Sequence, residues 1–374
     1  MLYTASLTLL SLLGSAILAL SGVGSRLAVA HLAFAVGIVP LIFAAMSHFV
    51  PVLTRTGDPG HWIKRLPLAA QLAGFCAVLA MQDLIPRWVM HLAAAVDLVL
   101  AAVLLNWMAG RVRATLGSPH PCWRWYGAAL GCLMLALLAI LFQALWPQYW
   151  RALRLFHLHM NTIGLLGLAA LGTMPVLLPT ALGQPDPEAF SWLHRRLWLV
   201  AGGALVIATG TAVIWPFAAP GTALVLVAAL GLVGQWVRRF GLKRLLADGV
   251  TASLLAAVAG LLLSLAAGVA HGARLISAQP TLLAWGVGFL LPLVTGALSQ
   301  LLPVWRWPGP QIPARALMRQ KLTASGTWRA GLFLTAAVAL VAENYVLGGL
   351  LLVFGLLLFG IALLQAVRVT RSTR

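Results

Sequence analysis

Twelve stretches of about twenty apolar residues run through the 374-residue chain, and no other property limits its fold as strongly. They lie at about 2–24, 27–54, 66–85, 88–110, 123–146, 154–180, 196–216, 220–238, 250–272, 279–303, 328–343 and 345–367. A helix of that length crosses the hydrocarbon core of a bilayer while satisfying every backbone N–H and C=O internally. Hydrophobic residues make up 61% of the chain and charged residues only 9%, which no soluble core of this length requires. The expectation is an all-α polytopic membrane protein with about twelve transmembrane helices in a single membrane domain, 1–374. The first stretch, with a possible cleavage site after Ala28-Val29-Ala30, lacks the basic start of a signal peptide and runs too long, so it reads as a retained helix.

A net charge of +18 would fit a nucleic-acid binder, but its distribution argues otherwise. If both termini lie on one side, that side holds 20 of the 25 basic residues, including Arg368, Arg371 and Arg374 after the last span. The opposite side keeps only Arg26, Arg87, Arg151, Arg154 and Arg274. This is the positive-inside bias, and it predicts a bacterial-type inner membrane location with both termini cytoplasmic, the lipid bilayer as partner and no nucleic acid. Cys76, Cys122 and Cys132 fall within spans or on the cytoplasmic side and are expected to be free thiols. Most of the 15 tryptophans, such as Trp88, Trp123, Trp146 and Trp150, read as interfacial belt residues.

Internal repetition supplies the architecture. Phe49-Val50-Pro51 with Asp58-Pro59 recurs as Leu178-Pro179 with Asp186-Pro187 at an offset of 128, and under that offset His31 falls on His159. At a further offset of 124, Gly164, Gly172 and Pro179 match Gly288, Gly296 and Pro303, while His159 matches Leu283. The spacings predict three four-helix units, about 1–122, 123–248 and 249–374, around a pseudo-threefold axis. A transporter of two six-helix halves would instead repeat near residue 190.

The histidines separate by depth. His31, His91, His157, His159 and His271 all fall within a few residues of an outer-side arginine, on the second, fourth, sixth and ninth spans. His61, His120 and His194 fall in cytoplasmic loops, and His48 lies near the inner end of the second span. A single membrane histidine usually ties helices together or reaches the interface, and His91 and His271 fit that role as well as a ligand role. The coincidence of His31, His157 and His159 at one level is harder to explain so. Their neutral imidazoles suit axial ligation of haem or coordination of copper, and proton relay is the remaining functional option. His157 and His159 project about 200° apart around a helix, so they address different neighbours.

At these residues a family resemblance appears. Ala30-His31-Leu32-Ala33-Phe34, followed by Phe49-Val50-Pro51, resembles the second helix of the catalytic subunit of haem-copper oxidases, where an outer-side histidine ligates low-spin haem. His157-Leu158-His159 with Gly164 resembles that subunit's His-x-His helix. Twelve helices in three arcs of four also fit that family. The pair lies here in the second repeat rather than the third, however, and neither the paired copper-site histidines nor a His-x-x-x-Tyr motif is present. These departures argue against a proton-pumping oxygen reductase, and the size and outline are more similar to the NnrS family of nitric-oxide-response membrane proteins. The resemblance implies haem b held between His31 and His159, with His157 serving a second haem or a copper ion shared with His91 or His271. It further implies Arg26, Arg151, Arg154 and Arg274 as partners for haem propionates. The implied role is a redox or nitric-oxide-related one, a haem-dependent oxidoreductase in the enzymatic case, with nitric oxide as gaseous ligand and an unidentified electron donor. The alternative is a copper transporter using the same histidines.

Asp97 is the one acid well inside a span, and intramembrane acids are costly enough to mark functional suspects; a proton-carrying role and a bond to Asn106 are both open. Gln71, Gln143, Asn161, Gln235 and Gln300 are expected to bond between helices.

Overall fold

A computed structural model describes residues 1–372; Arg374, counted above among the basic residues, lies outside them. Helix accounts for 86% of the chain and no strand occurs among the described residues. Twelve helices are long and apolar enough to cross a membrane. We number them α1 (Leu2–Ala19), α2 (Arg26–Thr54), α3 (His61–Met81), α4 (Val89–Arg113), α5 (Cys122–Leu145) and α6 (Pro147–Leu182), then α7 (Glu188–Val213), α8 (Trp215–Phe240), α9 (Gly249–Gly272), α10 (Ala278–Arg306), α11 (Pro313–Val341) and α12 (Tyr345–Arg368). The protein is thus an all-α, multi-pass membrane protein. Cys76, Cys122 and Cys132 are free.

Several helices begin earlier than hydropathy indicates, because polar first turns escape a window tuned to apolar residues. Helix α3 starts at His61 rather than near 66, and α6 runs from Pro147 through a short 3₁₀ turn, Pro147–Tyr149. Because α7 starts at Glu188, His194 lies inside a helix, not in a loop. Helix α11 opens with a segment absent from the sequence reading, Pro313–Thr323, whose Met318 and Leu322 are buried while Lys321 stays exposed. Side chains fix other starts: the Ser25 hydroxyl accepts from the Ala28 amide ahead of α2, and an Asp248 carboxylate oxygen accepts from the Val250 and Thr251 amides ahead of α9.

Two compact units divide the chain. The first comprises Met1–Gly172 and Leu193–Ala218; the second comprises Thr173–Trp192 and the residues from Ala219 onward. Lipid tails are as apolar as the side chains, so close packing and hydrogen bonds hold such helices together rather than hydrophobic burial. In the first unit Ala73 and Ala77 of α3 interlock with Ala93 of α4, and the Thr8 hydroxyl of α1 donates to the Gly37 carbonyl of α2 at 2.8 Å. In the second, Arg329 of α11 is wholly buried with its guanidinium 5.0 Å from the Phe359 ring centre, and its Nε and Nη1 make no hydrogen bond.

One irregularity recurs. Helices α2, α6 and α10 each widen into a π-helical stretch, at Leu32–Ile38, Met160–Gly167 and Trp285–Leu290. These stretches coincide within a residue or so under the sequence offsets of 128 and 124. In α2 and α10 a proline follows two residues after the stretch, Pro40 and Pro292. Proline offers no N–H to the carbonyl four residues back and crowds it, and a wider turn relieves the clash. In α6 the matching position is Leu168.

Candidate metal centre

The N-terminal part of α6 is regular α-helix from Trp150 to His159, and the π stretch begins at the next residue. In α2 the order is the same: regular helix Arg26–His31, then the π stretch. A histidine therefore closes the regular turn in each case. π-Helical bulges are frequent at functional sites, because they re-aim the side chains around them.

The structure brings His31 together with His157. Their ring centres are 6.3 Å apart and their planes differ by 9°. Each ring is oriented by a backbone carbonyl: His31 Nδ1 lies 2.9 Å from the Leu27 oxygen, and His157 Nδ1 lies 2.9 Å from the Ala136 oxygen of α5. A carbonyl can only accept, so Nδ1 carries the hydrogen in both rings and Nε2 keeps a lone pair. That is the orientation second-shell partners impose on metal-binding histidines. Asn161, one turn below His157, donates to the His157 carbonyl at 2.9 Å and sets its amide 3.4 Å from both ring nitrogens. This bond stays within α6, not between helices as the sequence led one to expect.

The spacing is informative. Two imidazoles bound to one ion from opposite sides, at about 2.0 Å per metal–nitrogen bond, have ring centres about 6 Å apart. A separation of 6.3 Å is the distance that arrangement requires and exceeds the reach of a direct hydrogen bond between the rings, while planes within 9° are those of stacked rings as well. The residues present therefore fit a bis-imidazole centre.

His159, the partner anticipated for His31, points elsewhere. Its Nδ1 is 2.8 Å from the Leu155 carbonyl and 3.1 Å from the Thr211 hydroxyl of α7. The 200° divergence of the two imidazoles is as the sequence implies, but the rotation of α6 about its axis assigns 157 to α2 and 159 to α7. His91 is half-buried near the start of α4, and His271, in the other unit, has Nδ1 3.1 Å from the Ile276 carbonyl. Among the described residues no group of three or more His, Cys, Asp or Glu side chains could hold a metal ion, so the pair stands without a third protein ligand of those types.

The arginines frame the same end of the first unit. Arg26 is exposed five residues before His31, and Arg154 is exposed one turn before His157 with its guanidinium 5.7 Å from the Trp150 ring centre. Arg151 is exposed as well, and Arg274 belongs to the second unit, in a left-handed turn with φ 62°. None of the four forms an ion pair among the described residues; the acid at this end that does, Asp83, holds Arg87 at 2.7 Å. That exposed guanidinium keeps the Asp83 carboxyl below its usual range.

Two groups named from the sequence meet surroundings that only the structure shows. Gln71 of α3 donates to the Val36 carbonyl at 3.3 Å, the carbonyl that Pro40 cannot serve, and so supports the π stretch just below His31. Asp97 of α4 is buried, and its Oδ1 has no hydrogen-bond partner; Asn106, the partner considered for it, is exposed. The packing of Ala93 against Ala73 and Ala77 fixes the antiparallel register of α3 and α4, which sets Asp97 level with Gln71. The signal for Gln71 was its place in a span; its target could not be read. Neither any protein-family model nor any curated protein matches this chain.

Proposed function

We propose that His31 and His157 hold a metal centre, with b-type haem as the cofactor, and that the protein serves redox or nitric-oxide-related chemistry in the membrane. The observation that carries this reading is the parallel pair of imidazoles 6.3 Å apart, each fixed through Nδ1 to a carbonyl. Haem b, when bound, supplies one-electron transfer and binding of small gases such as nitric oxide. The chain's own residues do the rest. The Leu27 and Ala136 carbonyls select the tautomer that leaves each Nε2 basic, and the Asn161 amide braces the His157 ring. Arg26, Arg151 and Arg154 form no ion pair among the described residues and supply charge at the same end for acidic substituents. His159 keeps the Thr211 contact and acts outside the pair. The charge bias of the loops supports a bacterial-type cytoplasmic membrane with both termini in the cytoplasm.

The test is an absorption spectrum of the intact, detergent-purified protein with and without dithionite, together with its metal content. A Soret band is expected that disappears in His31→Ala and in His157→Ala and persists in His159→Ala. Copper bound without a Soret band would turn the reading toward copper transport through the same histidines. Protein that purifies without haem or copper, or a band indifferent to His157→Ala, refutes it.

A further inference from the structure

A second cluster of charge lies in the second unit, far in sequence from the histidines. A cavity of about 400 Å3 is lined by Thr180 and Gly183 at the end of α6, Gln300 of α10, Gln311, and Arg315 and Arg319 of the surface segment of α11. Small-molecule sites occupy a few hundred cubic ångströms and present a few fixed polar groups. Here the fixing is elaborate. Arg319 donates through Nε to Gln300 Oε1 at 2.7 Å and through Nη2 to Asp248 Oδ2 at 2.9 Å and the Ala181 carbonyl at 3.1 Å. Asp248 is engaged through both oxygens, since its Oδ1 also caps α9 by accepting from the Val250 and Thr251 amides. Arg315 spends only Nη1, on the Gly309 carbonyl at 2.9 Å.

Counting donors gives the ligand's chemistry. Arg319 Nη1 and Arg315 Nε and Nη2 are left without protein acceptors among the described residues, and the one acid beside them is engaged by Arg319 and the α9 amides. Two guanidiniums against one carboxylate leave a net positive charge. Several N–H groups on two planar forks match an anion with three or four oxygens better than one with two. The volume exceeds that of a bare tetrahedral anion and has room for the organic part attached to it.

We infer that the Arg315–Arg319 cavity of the second unit is a binding site for a phosphate group, carried either by an anionic lipid head or by a soluble phosphorylated molecule. The surface helix that delivers both arginines exposes Leu317 beside them, and the preceding Ile312 is exposed too, which suits an element lying at a membrane interface. This site is independent of the histidine pair and stands whether or not that pair binds metal.

The experiment uses the intact protein. Thermal stability is measured in nanodiscs of phosphatidylcholine alone and with added phosphatidylglycerol, and in detergent against inorganic phosphate. The variant Arg315→Gln removes the less engaged guanidinium, and Gln311→Ala alters the exposed wall should the first prove unstable. Arg368→Gln, at the exposed end of α12, removes the same charge outside the cavity. We expect stabilisation of the wild type by one of the two probes, weakened roughly tenfold in apparent affinity by Arg315→Gln and not by Arg368→Gln. Response to phosphatidylglycerol alone identifies a lipid head, and response to inorganic phosphate a soluble source. Equal weakening in Arg315→Gln and Arg368→Gln, or a wild type that neither probe stabilises, overturns the site.

Discussion

The π stretches of α2 and α10 meet different surroundings. Each is followed by a proline, and each therefore leaves a carbonyl four residues earlier without its usual donor, Val36 in α2 and Gly288 in α10. In the first unit a side chain answers: the Gln71 amide reaches across from α3 to Val36. In the second the carbonyl is instead packed against backbone, since Gly260 of α9 lies so close to Gly288 that a Cβ at 260 would overlap the Gly288 carbonyl. A further difference goes with this one. His31 closes the regular turn before the first stretch, while Ala284 stands before the third. The same bend thus serves a candidate ligand in one unit and close helix packing in the other.

The contrast can be broken at its tightest point first. Gly260→Ala must push backbone against backbone, which cannot rotate away as a flexible side chain would. A loss near the upper end of the usual overpacking range, about 3 kcal/mol, is expected in thermal or denaturant unfolding. Gly286→Ala, inside the same π stretch but facing open space, should leave stability within about 0.5 kcal/mol. Equal effects at the two positions would remove the backbone account of the α10 bend.

Gln71→Leu comes next. It strips a buried carbonyl of its donor at a cost of about 1–2 kcal/mol, and it should also disturb whatever spectrum His31 supports, since the π stretch begins at the following residue. Gly260→Ala, acting in the other unit, should lower stability and leave that spectrum alone. A Gln71→Leu protein with unchanged melting and an unchanged spectrum would show that the amide does not hold the bend.

Asp97 supplies a smaller effect of opposite sign. Its Oδ1 is buried without a partner, so Asp97→Leu is expected to match or exceed the wild type by about 1 kcal/mol. A marked loss would mean that the carboxyl has an acceptor or donor role at the level of Gln71. The smallest change concerns His120, in the loop before α5. Burial lowers its pKa, so the unfolded chain binds a proton that the folded chain resists. Stability should then fall as the pH drops below the ordinary histidine value of about 6.5, and His120→Gln should flatten that acid limb by a few tenths of a kcal/mol. An acid limb of the same slope in the variant would assign it to other groups.

How much of this was legible depends on the range of the interaction. The twelve spans follow from the length of apolar runs, and the offsets of 128 and 124 locate three stretches that share a π-helical backbone. Both are written in short runs of consecutive residues, the second as runs that recur. The surface segment Pro313–Thr323 escaped because its charged residues mask the spacing of Met318 and Leu322 from a reading tuned to apolar windows. His31, His157 and His159 were recognisable as a group at one depth, but the partner of His31 was not.

Sequence alone determined the number of spans, the charge bias across them and the divergence of the imidazoles at 157 and 159, because helical geometry fixes the angle between neighbours on one helix. Tertiary structure decided which imidazole faces α2, that Gln71 serves the Val36 carbonyl and that Arg315 and Arg319 share one cavity. Each of these turns on the rotation of a helix about its own axis. That rotation is set by close packing against neighbours far away in the chain, which no single stretch of residues encodes.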